Sequence, residues 1–259
     1  MSSVLITEEL ISLIEHSEAE RLKHSAELCG GDVLEIGGGV CAFCGDGSPM
    51  TNCVAVGVGA NLTDSEFSQI LEFFEGRTEM FEFKLSLLTA PELREWVVRE
   101  AKKLPEFETL LVSDLTSFEC PDLDFEIREI PLDEAPEYGK RAVERFFAGK
   151  EVPSLAGEVV GKCCVSDRFH SYEVLIDGEP VAGCGLGLVE GLAWLQGASV
   201  LPEHRGWGLH KMMQAYRMKI AKDAGYSLVV QGAKPGSASQ LNAQKQGFAV
   251  AFTRPCFLL

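Results

Sequence analysis

The sequence has no run of about 18 apolar residues, so no membrane-spanning helix is expected. Met1 to Glu15 carries acids in its first ten positions and lacks a basic segment followed by an apolar one, so no signal peptide is expected. Positive charge is scarce. Lys and Arg number 23 against 39 Asp and Glu, and the net charge of −16 argues against nucleic acid or an acidic membrane surface as partner. No second Cys-x-x-Cys or His pair accompanies Cys41-Ala-Phe-Cys44, so no metal site is expected there. That segment reads as a strand, in which positions i and i+3 face opposite ways, and its thiols are expected to be structural. Nine cysteines without an export signal imply reduced thiols and a cytoplasmic protein.

What is present is ordinary globular composition, with 46% hydrophobic and 24% charged residues, long enough for one large domain or two of common size. The charge is unevenly spread. Residues 1–121 hold 8 Lys and Arg against 22 acids, whereas residues 122–259 hold 15 against 17. A solvated acidic surface accounts for the first half, and a field that draws in a cationic substrate is the alternative.

The pattern alternates helices and strands, which predicts an α/β layer architecture, α+β in some schemes. A helix is expected from Thr7 to about Leu28, closed by Gly30-Gly31. Strands follow at Asp32 to Cys44 and Asn52 to Gly59. Gly37-Gly38-Gly39 satisfies neither G-x-G-x-x-G nor the P-loop spacing and reads as a bulged or closely approached strand. Thr63-Asp-Ser-Glu66 is a capping box that starts a helix to Glu75. Strand 80–88, helix 91–104 and strand 107–112 complete the first half, and Ser117 to Asp122 reads as a linker. The second half offers strand 125–130, helix 132–148, an irregular stretch 151–168 and a hairpin across Asp177-Gly-Glu179. A strand over Leu192 to Val200 follows. A helix from Leu209 has Leu209, Met212, Met213, Tyr216 and Ile220 on its apolar face, and strand 227–231, a short helix 237–246 and a closing strand follow.

The stretch Ser199-Val-Leu-Pro-Glu-His-Arg-Gly-Trp-Gly-Leu-His-Lys-Met-Met213 carries the clearest chemistry. A strand leads into a turn with two glycines and then into a helix, whose first N–H groups lack intrahelical partners and sit at the positive end of the macrodipole. Gly206 and Gly208 let backbone approach a phosphate, and Arg205 and Lys211 add full charge.

Val200-Leu-Pro-Glu-His-Arg-Gly-Trp-Gly-Leu209 and Gly247-Phe248, in this order of elements, resemble the GNAT acyltransferase superfamily over about residues 122–259. The resemblance implies a GNAT fold, a central mixed and mostly antiparallel sheet flanked by helices. It implies acetyl-CoA as donor co-substrate, no metal, and a small-molecule or peptide amine as acceptor. By resemblance, backbone of Ala198, Ser199 and Val200 would pair with the pantetheine arm. Backbone N–H groups along Arg205, Gly206, Trp207, Gly208, Leu209, His210 and Lys211 would hold the pyrophosphate, and Ser239 or Asn242 would face the pantetheine. Trp194 and Gln196, placed with Ala198 on one strand face, would line the acceptor groove.

The chain departs from the family pattern at Glu203, where Gln or Arg is usual, and at Ala243, where a Tyr often serves as acid. No acid lies on strand 192–200, and Glu190 is roughly 25 Å from Ala198 along an extended strand, too far for proton transfer. Catalytic acid and base therefore stay unassigned. The expected chemistry is direct attack of an amine on the thioester; the alternatives are an acyl-CoA-binding regulatory module without turnover and a protein that uses the turn for another phosphate ligand.

Strand 52–59, helix 65–75, strand 80–88, helix 91–104 and strand 107–112 repeat the element order found around residues 192–252. At the position of the phosphate turn stands Ala60-Asn-Leu-Thr-Asp-Ser-Glu66, without the glycines or the Arg. The expected organisation is a tandem, with a degenerate GNAT-like domain over 1–118 and an acetyl-CoA-binding domain over 122–259, as monomer or homodimer.

Overall fold

The structure, a computed structural model, describes residues 4–148, 152 and 155–259. Two compact units divide the chain. The first is built from Leu5–Leu110, Ala233–Ser237 and Val250–Leu259; the second is built from Leu111–Gly232 and Ala238–Ala249, with the short stretch ending at Val4.

The first unit opens with α1 (Glu8–Cys29). Thr7 accepts a hydrogen bond from the Leu10 N–H, and Gly30, at φ 71°, closes the helix in the left-handed conformation. β1 (Asp32–Ile36) and β2 (Gly39–Phe43) form an antiparallel hairpin. The expected single strand over 32–44 is therefore two. Gly37 and Gly38, at φ 56° and 76°, make the tight turn that glycine alone takes without strain. β3 (Asn52–Val54) is shorter than expected because Ala55, Gly57 and Gly59 have positive φ and carry the chain out of the sheet. α2 (Asp64–Phe74), capped as expected by Thr63 and Glu66, returns the chain to β4 (Glu82–Lys84), which runs parallel to β3. α3 (Pro91–Glu100) leads to β5 (Glu106–Asp114), which belongs to this unit as far as Leu110.

The last strand of the chain, β11 (Ala249–Leu258), lies between β4 and β5, so the first unit's strand order is β1-β2-β3-β4-β11-β5. Its core joins Ile70, Phe74, Phe83, Leu93, Trp96 and Phe257. Cys41 and Cys53 face each other across β2 and β3, and none of the nine cysteines forms a disulfide.

The second unit begins with β6 (Glu126–Glu129), a short 3-10 turn, and α4 (Ala135–Phe147). The stretch 151–168, expected to be irregular, contains α5 (Ala156–Cys163), while 149–151, 153 and 154 lie outside the described residues. Glycines let α5 approach α4 closely: a Cβ on Gly139 would come within 2.4 Å of the Gly161 nitrogen. β7 (Phe169–Ile176), β8 (Glu179–Val189) and β9 (Leu192–Val200) form an antiparallel meander, turned at Asp177-Gly178 and at Glu190-Gly191. α6 (Leu209–Asp223) crosses to β10 (Leu228–Ala233), which is parallel to β9, and α7 (Ala238–Lys245) follows. The strand order here is β10-β9-β8-β7-β6.

α6 departs from its expected apolar face. Met212, Tyr216 and Ile220 are half-buried, while Gln214, Arg217 and Met218 are buried with Leu209 and Met213. The polar pair is buried because it has partners: Gln214 donates to Gln231 Oε1 at 2.7 Å, and Arg217 bonds backbone carbonyls of the sheet.

Candidate active site

β9 and β10 pair at Ala193–Val229 and Trp194–Val230, and β9 then continues to Val200. A parallel pair that is registered at one end and then runs on opens a gap lined by unpaired backbone groups, which can bind an extended polar chain. Ala198, Ser199 and Val200 lie on this continuing segment.

On its other edge, β9 changes register against β8. Gly185 pairs with Gln196, and Gly183 pairs with Ser199, so Gly197 and Ala198 on β9 stand against Cys184 alone. Gly197, at φ 61°, allows the bulge. The alternation that would place Ala198 beside Trp194 and Gln196 is broken there, and Ser199 takes that place on the face of Gly183, Gly185 and Gly187. Arg217 supports the distortion from α6. Its Nη1 donates to the carbonyls of Gly185 at 2.8 Å and Gln196 at 3.2 Å, and its Nε donates to Met213 O at 3.0 Å.

Beyond Val200 the chain makes a 3-10 turn at Pro202–His204 and reaches Gly206 and Gly208, at φ 84° and 83°. A Cβ at either glycine would meet no atom within 4 Å, so backbone conformation, not crowding, calls for glycine here. Arg205 Nε donates back to Val200 O at 3.3 Å and so keeps its charge at the turn. Gly208 caps α6 without a side-chain hydrogen bond, leaving the first-turn N–H groups of Leu209, His210 and Lys211 without a capping side chain. Arg205, Gly206, Trp207, Gly208 and Lys211 are exposed, and Leu209 is buried and anchors the helix. This is a cradle suited to a phosphate: open backbone donors, no obstructing side chain and two cations.

The histidines flank the cradle. The ring of Trp207 meets that of His204 edge-on at 5.2 Å. His210 is mostly buried, and burial, with a smaller contribution from Arg217, pushes its pKa down to about 4, so it is neutral at pH 7. Ser239 and Asn242 are half-buried on α7, where Gln246 Nε2 bonds Gln214 Oε1 and ties the end of α7 to α6.

No acid or base stands out. Ala243 is 0% exposed and receives the N–H of Phe248 at its carbonyl, so its environment is packed for a methyl group. Glu190 sits exposed in the β8–β9 turn. Trp194 is buried, and Gln196 is half-buried against Gly185, whose missing Cβ would lie 3.1 Å from Gln196 Cγ.

One buried group escaped the sequence reading. Glu173 on β7 is 0% exposed and accepts from Arg141 at 3.0 and 2.9 Å, Arg145 at 3.0 Å and Arg128 at 3.1 Å. Burial alone would raise its pKa; the arginines outweigh that and hold the carboxyl below the usual range. The available signal was Arg141 and Arg145 at i and i+4, on one face of α4, with a lone acid inside a strand.

Neither a protein-family model nor a curated protein matches the sequence. Solved structures do match. A GCN5-related N-acetyltransferase from Kribbella flavida superposes with a TM-score of 0.67 at 16% identity, covering 96% of this chain and 94% of that one. The chain has the GNAT fold. A tandem GNAT protein from the clavulanic acid biosynthesis pathway, solved without AcCoA, gives a TM-score of 0.58 at 14% identity over 88% of this chain and 81% of its own. A GCN5-related N-acetyltransferase from Sphaerobacter thermophilus gives 0.57 at 14% identity, over 88% and 75%. In GNAT terms the β9–turn–α6–β10 segment is the part of the fold whose geometry has just been described. Among the described residues no cluster of three or more His, Cys, Asp or Glu could hold a metal ion, and no helix is long and apolar enough to cross a membrane.

Proposed function

We propose that the protein is an acetyl-CoA-dependent N-acetyltransferase whose donor site lies in the second unit. The observation that carries this reading is the β9–β10 pair, registered only at Ala193–Val229 and Trp194–Val230, which runs into a turn with Gly206 and Gly208 at φ 84° and 83° before an uncapped helix start. In this reading N–H groups of residues 205–211 hold the pyrophosphate, with Arg205 and Lys211 adding charge. Backbone of Ala198, Ser199 and Val200 pairs with the pantetheine arm, and Ser239 and Asn242 face it from α7. Trp194 and Gln196 line the acceptor side.

Acetyl-CoA would supply an activated acetyl thioester. The chain's part is to hold a neutral acceptor amine against the thioester carbonyl and to polarise that carbonyl with backbone N–H groups at the Gly197–Ala198 bulge. The acceptor is a small-molecule or peptide amine. Release of CoA thiol against a panel of amines tests the activity, and calorimetry with acetyl-CoA tests the donor site separately.

A second reading, an acyl-CoA-binding regulatory module, is favoured by the packed Ala243 and by the absence of an acid on β9. Acetyl-CoA binding without thiol release against the panel would favour it.

The tandem organisation, with a degenerate GNAT-like domain over 1–118 and the acetyl-CoA-binding domain over 122–259, is part of the proposal, with the difference that the closing segment Val250–Leu259 lies in the first unit. Its support is the shared order of antiparallel strands, crossover helix and parallel strand: β1-β2-β3-α2-β4 in one unit and β7-β8-β9-α6-β10 in the other. The start of α2 is already filled. Thr63 Oγ1 accepts from the Glu66 N–H, and the Glu66 carboxylate takes the Thr63 N–H at 2.7 Å, occupying the place an anion would need. The first unit is accordingly read as having lost CoA binding. A cytoplasmic location and a monomeric or homodimeric state complete the reading; light scattering of the full chain checks the latter.

A further inference from the structure

Arg145 carries more hydrogen-bonding capacity than its known partner uses. Its side chain is 2% exposed, and Nη1 donates to Glu173 Oε1 at 3.0 Å. Nε and Nη2 are buried and find no hydrogen-bond partner among the described residues. These two nitrogens form one edge of the guanidinium plane, with parallel N–H bonds, which is the fork that pairs with both oxygens of a carboxylate. Glu173 cannot serve that edge, because Arg141, Arg128 and Arg145 Nη1 already engage both its oxygens.

The free edge lies beside the bulge of β9. A Cβ built on Gly183 would stand 2.4 Å from Arg145 Nη2, so the guanidinium rests over a residue that has no side chain. The partner of Gly183 across the strand pair is Ser199, whose Oγ is likewise buried and without a partner among the described residues. Directly opposed residues in a sheet hold their Cβ positions about 5 Å apart on one face, which puts Ser199 on the face of the sheet that Arg145 covers, next to Gly183. The local charge favours an anion: Arg128, Arg141 and Arg145 surround Glu173, Glu134 pairs with Arg128 at 2.7 Å, and Glu137, near Arg141, pairs with Lys140 at 2.7 Å, so the named cations outnumber the named acids. Buried donors left unmade are costly to a fold. A ligand oxygen that completes them is the economical explanation.

We infer that the Nε and Nη2 edge of Arg145, with Ser199 Oγ, receives a carboxylate of the acceptor, so that the substrate is a carboxylate-bearing amine such as an amino acid or a peptide C-terminus. The assignment rests on the N-acetyltransferase reading for the amine, while the anion site stands on its own geometry. Arg145 is a recognition residue here, and Glu173, held by three arginines, fixes its orientation.

The test uses the full chain with the twenty amino acids and a set of dipeptides, each as free acid and as C-terminal amide. With acetyl-CoA and thiol release as readout, the best acceptor should be used with a kcat/KM about 10- to 100-fold above that of its amide, the range of a hydrogen bond to a charged group. Arg145→Lys keeps a cation for Glu173 and loses the fork. It should raise KM for the free acid by a similar factor, leaving kcat, the KM of the amide and the acetyl-CoA Kd in place. Gly183→Ala, which pushes against Nη2, should act in the same direction. Calorimetry of the same pairs without acetyl-CoA reads the anion site alone. Acid-over-amide preference that Arg145→Lys abolishes supports the site even if acetyl-CoA does not bind, in which case only the donor assignment fails. Equal treatment of acid and amide in both assays, or a change caused by Arg145→Lys that falls on both alike, overturns the inference.

Discussion

Replacing Arg254 with Met should cost the first unit about as much as truncating one of its large core side chains. Arg254 is 0% exposed, and its Nη1 bonds Glu15 at 2.6 Å. Its Nη2 bonds Glu18 and also Glu108, the latter at 2.8 Å. Lys84, 2.8 Å from Glu18 and 3.3 Å from Glu108, and Arg21, 3.4 Å from Glu18, are further cations of the cluster. Met fills much of the same volume, so packing survives, but Glu15 loses its ion-pair partner, and Glu18 and Glu108 are left to Lys84 and Arg21. Losing one partner of a buried ion pair typically costs about 3–5 kcal/mol. At an effective dielectric of about 20, opposite charges about 4 Å apart gain about 4 kcal/mol, so the two estimates agree in scale. Thermal and urea unfolding of the full chain should show a loss of that size, a melting point lower by roughly 10 °C or more.

The pH dependence sharpens this prediction. Burial raises the pKa of Glu18 and Glu108, but Arg254 and Lys84 outweigh it, so both carboxyls end below their ordinary value. Their contribution is present above the unfolded carboxylate pKa and is lost as pH falls through the folded one. For Glu15 burial outweighs Arg254 and the pKa ends raised, so its contribution to folding grows as pH falls. Arg254→Met should therefore flatten the acid-side loss of stability, and Glu18→Gln should destabilise more than Glu15→Gln at pH 7. A stability change under about 1 kcal/mol for Arg254→Met, the size of an exposed ion pair, would refute the reasoning.

The remaining predictions concern the second unit. Gly206→Asp with Gly208→Asp puts side chains and negative charge where the pyrophosphate is proposed to lie, at positive φ. Acetyl-CoA affinity should fall at least about 100-fold, measured by calorimetry, with circular dichroism unchanged. His210 has a folded pKa of about 4, so between its unfolded value and that point the unfolded chain takes up a proton that the folded chain does not. Stability should fall as pH drops from about 6.5 to 4, by up to about 3 kcal/mol, and His210→Gln should remove that part of the slope in urea titrations. Arg217→Leu leaves the carbonyls of Gly185 and Gln196 without their donor; it should destabilise the chain by about 2–3 kcal/mol and raise the acetyl-CoA Kd, because the bulge loses its support.

Local chemistry made part of this legible in advance. Thr7 and Gly30 mark the ends of α1, Thr63 and Glu66 the start of α2, and Asp177-Gly178 the β7–β8 hairpin, because caps and turns are encoded by residues adjacent in the chain. The turn from Val200 to Leu209 was legible for the same reason. What distance in the chain conceals was not. The place of β11 between β4 and β5, and Arg254 meeting Glu15 across 239 positions, depend on contacts that no local pattern announces. The bulge at Gly197–Ala198 follows from the pairing of β8 with β9, so strict alternation misassigned Ala198 to the face of Trp194. Gln214 and Arg217 lie outside the apolar face expected for α6, and their burial depends on partners elsewhere in the chain.

Acetyl-CoA should bind in the gap between β9 and β10 and at the turn beyond it. Isothermal calorimetry of the full chain with acetyl-CoA, run beside ATP and the Gly206→Asp, Gly208→Asp double variant, tests it most directly. The expected result is one acetyl-CoA per chain, weaker or no heat with ATP, and loss of the signal in the variant. No heat and no thermal shift with acetyl-CoA up to about 1 mM, where binding worth about 4 kcal/mol would be visible, or equal binding by the variant, would contradict it.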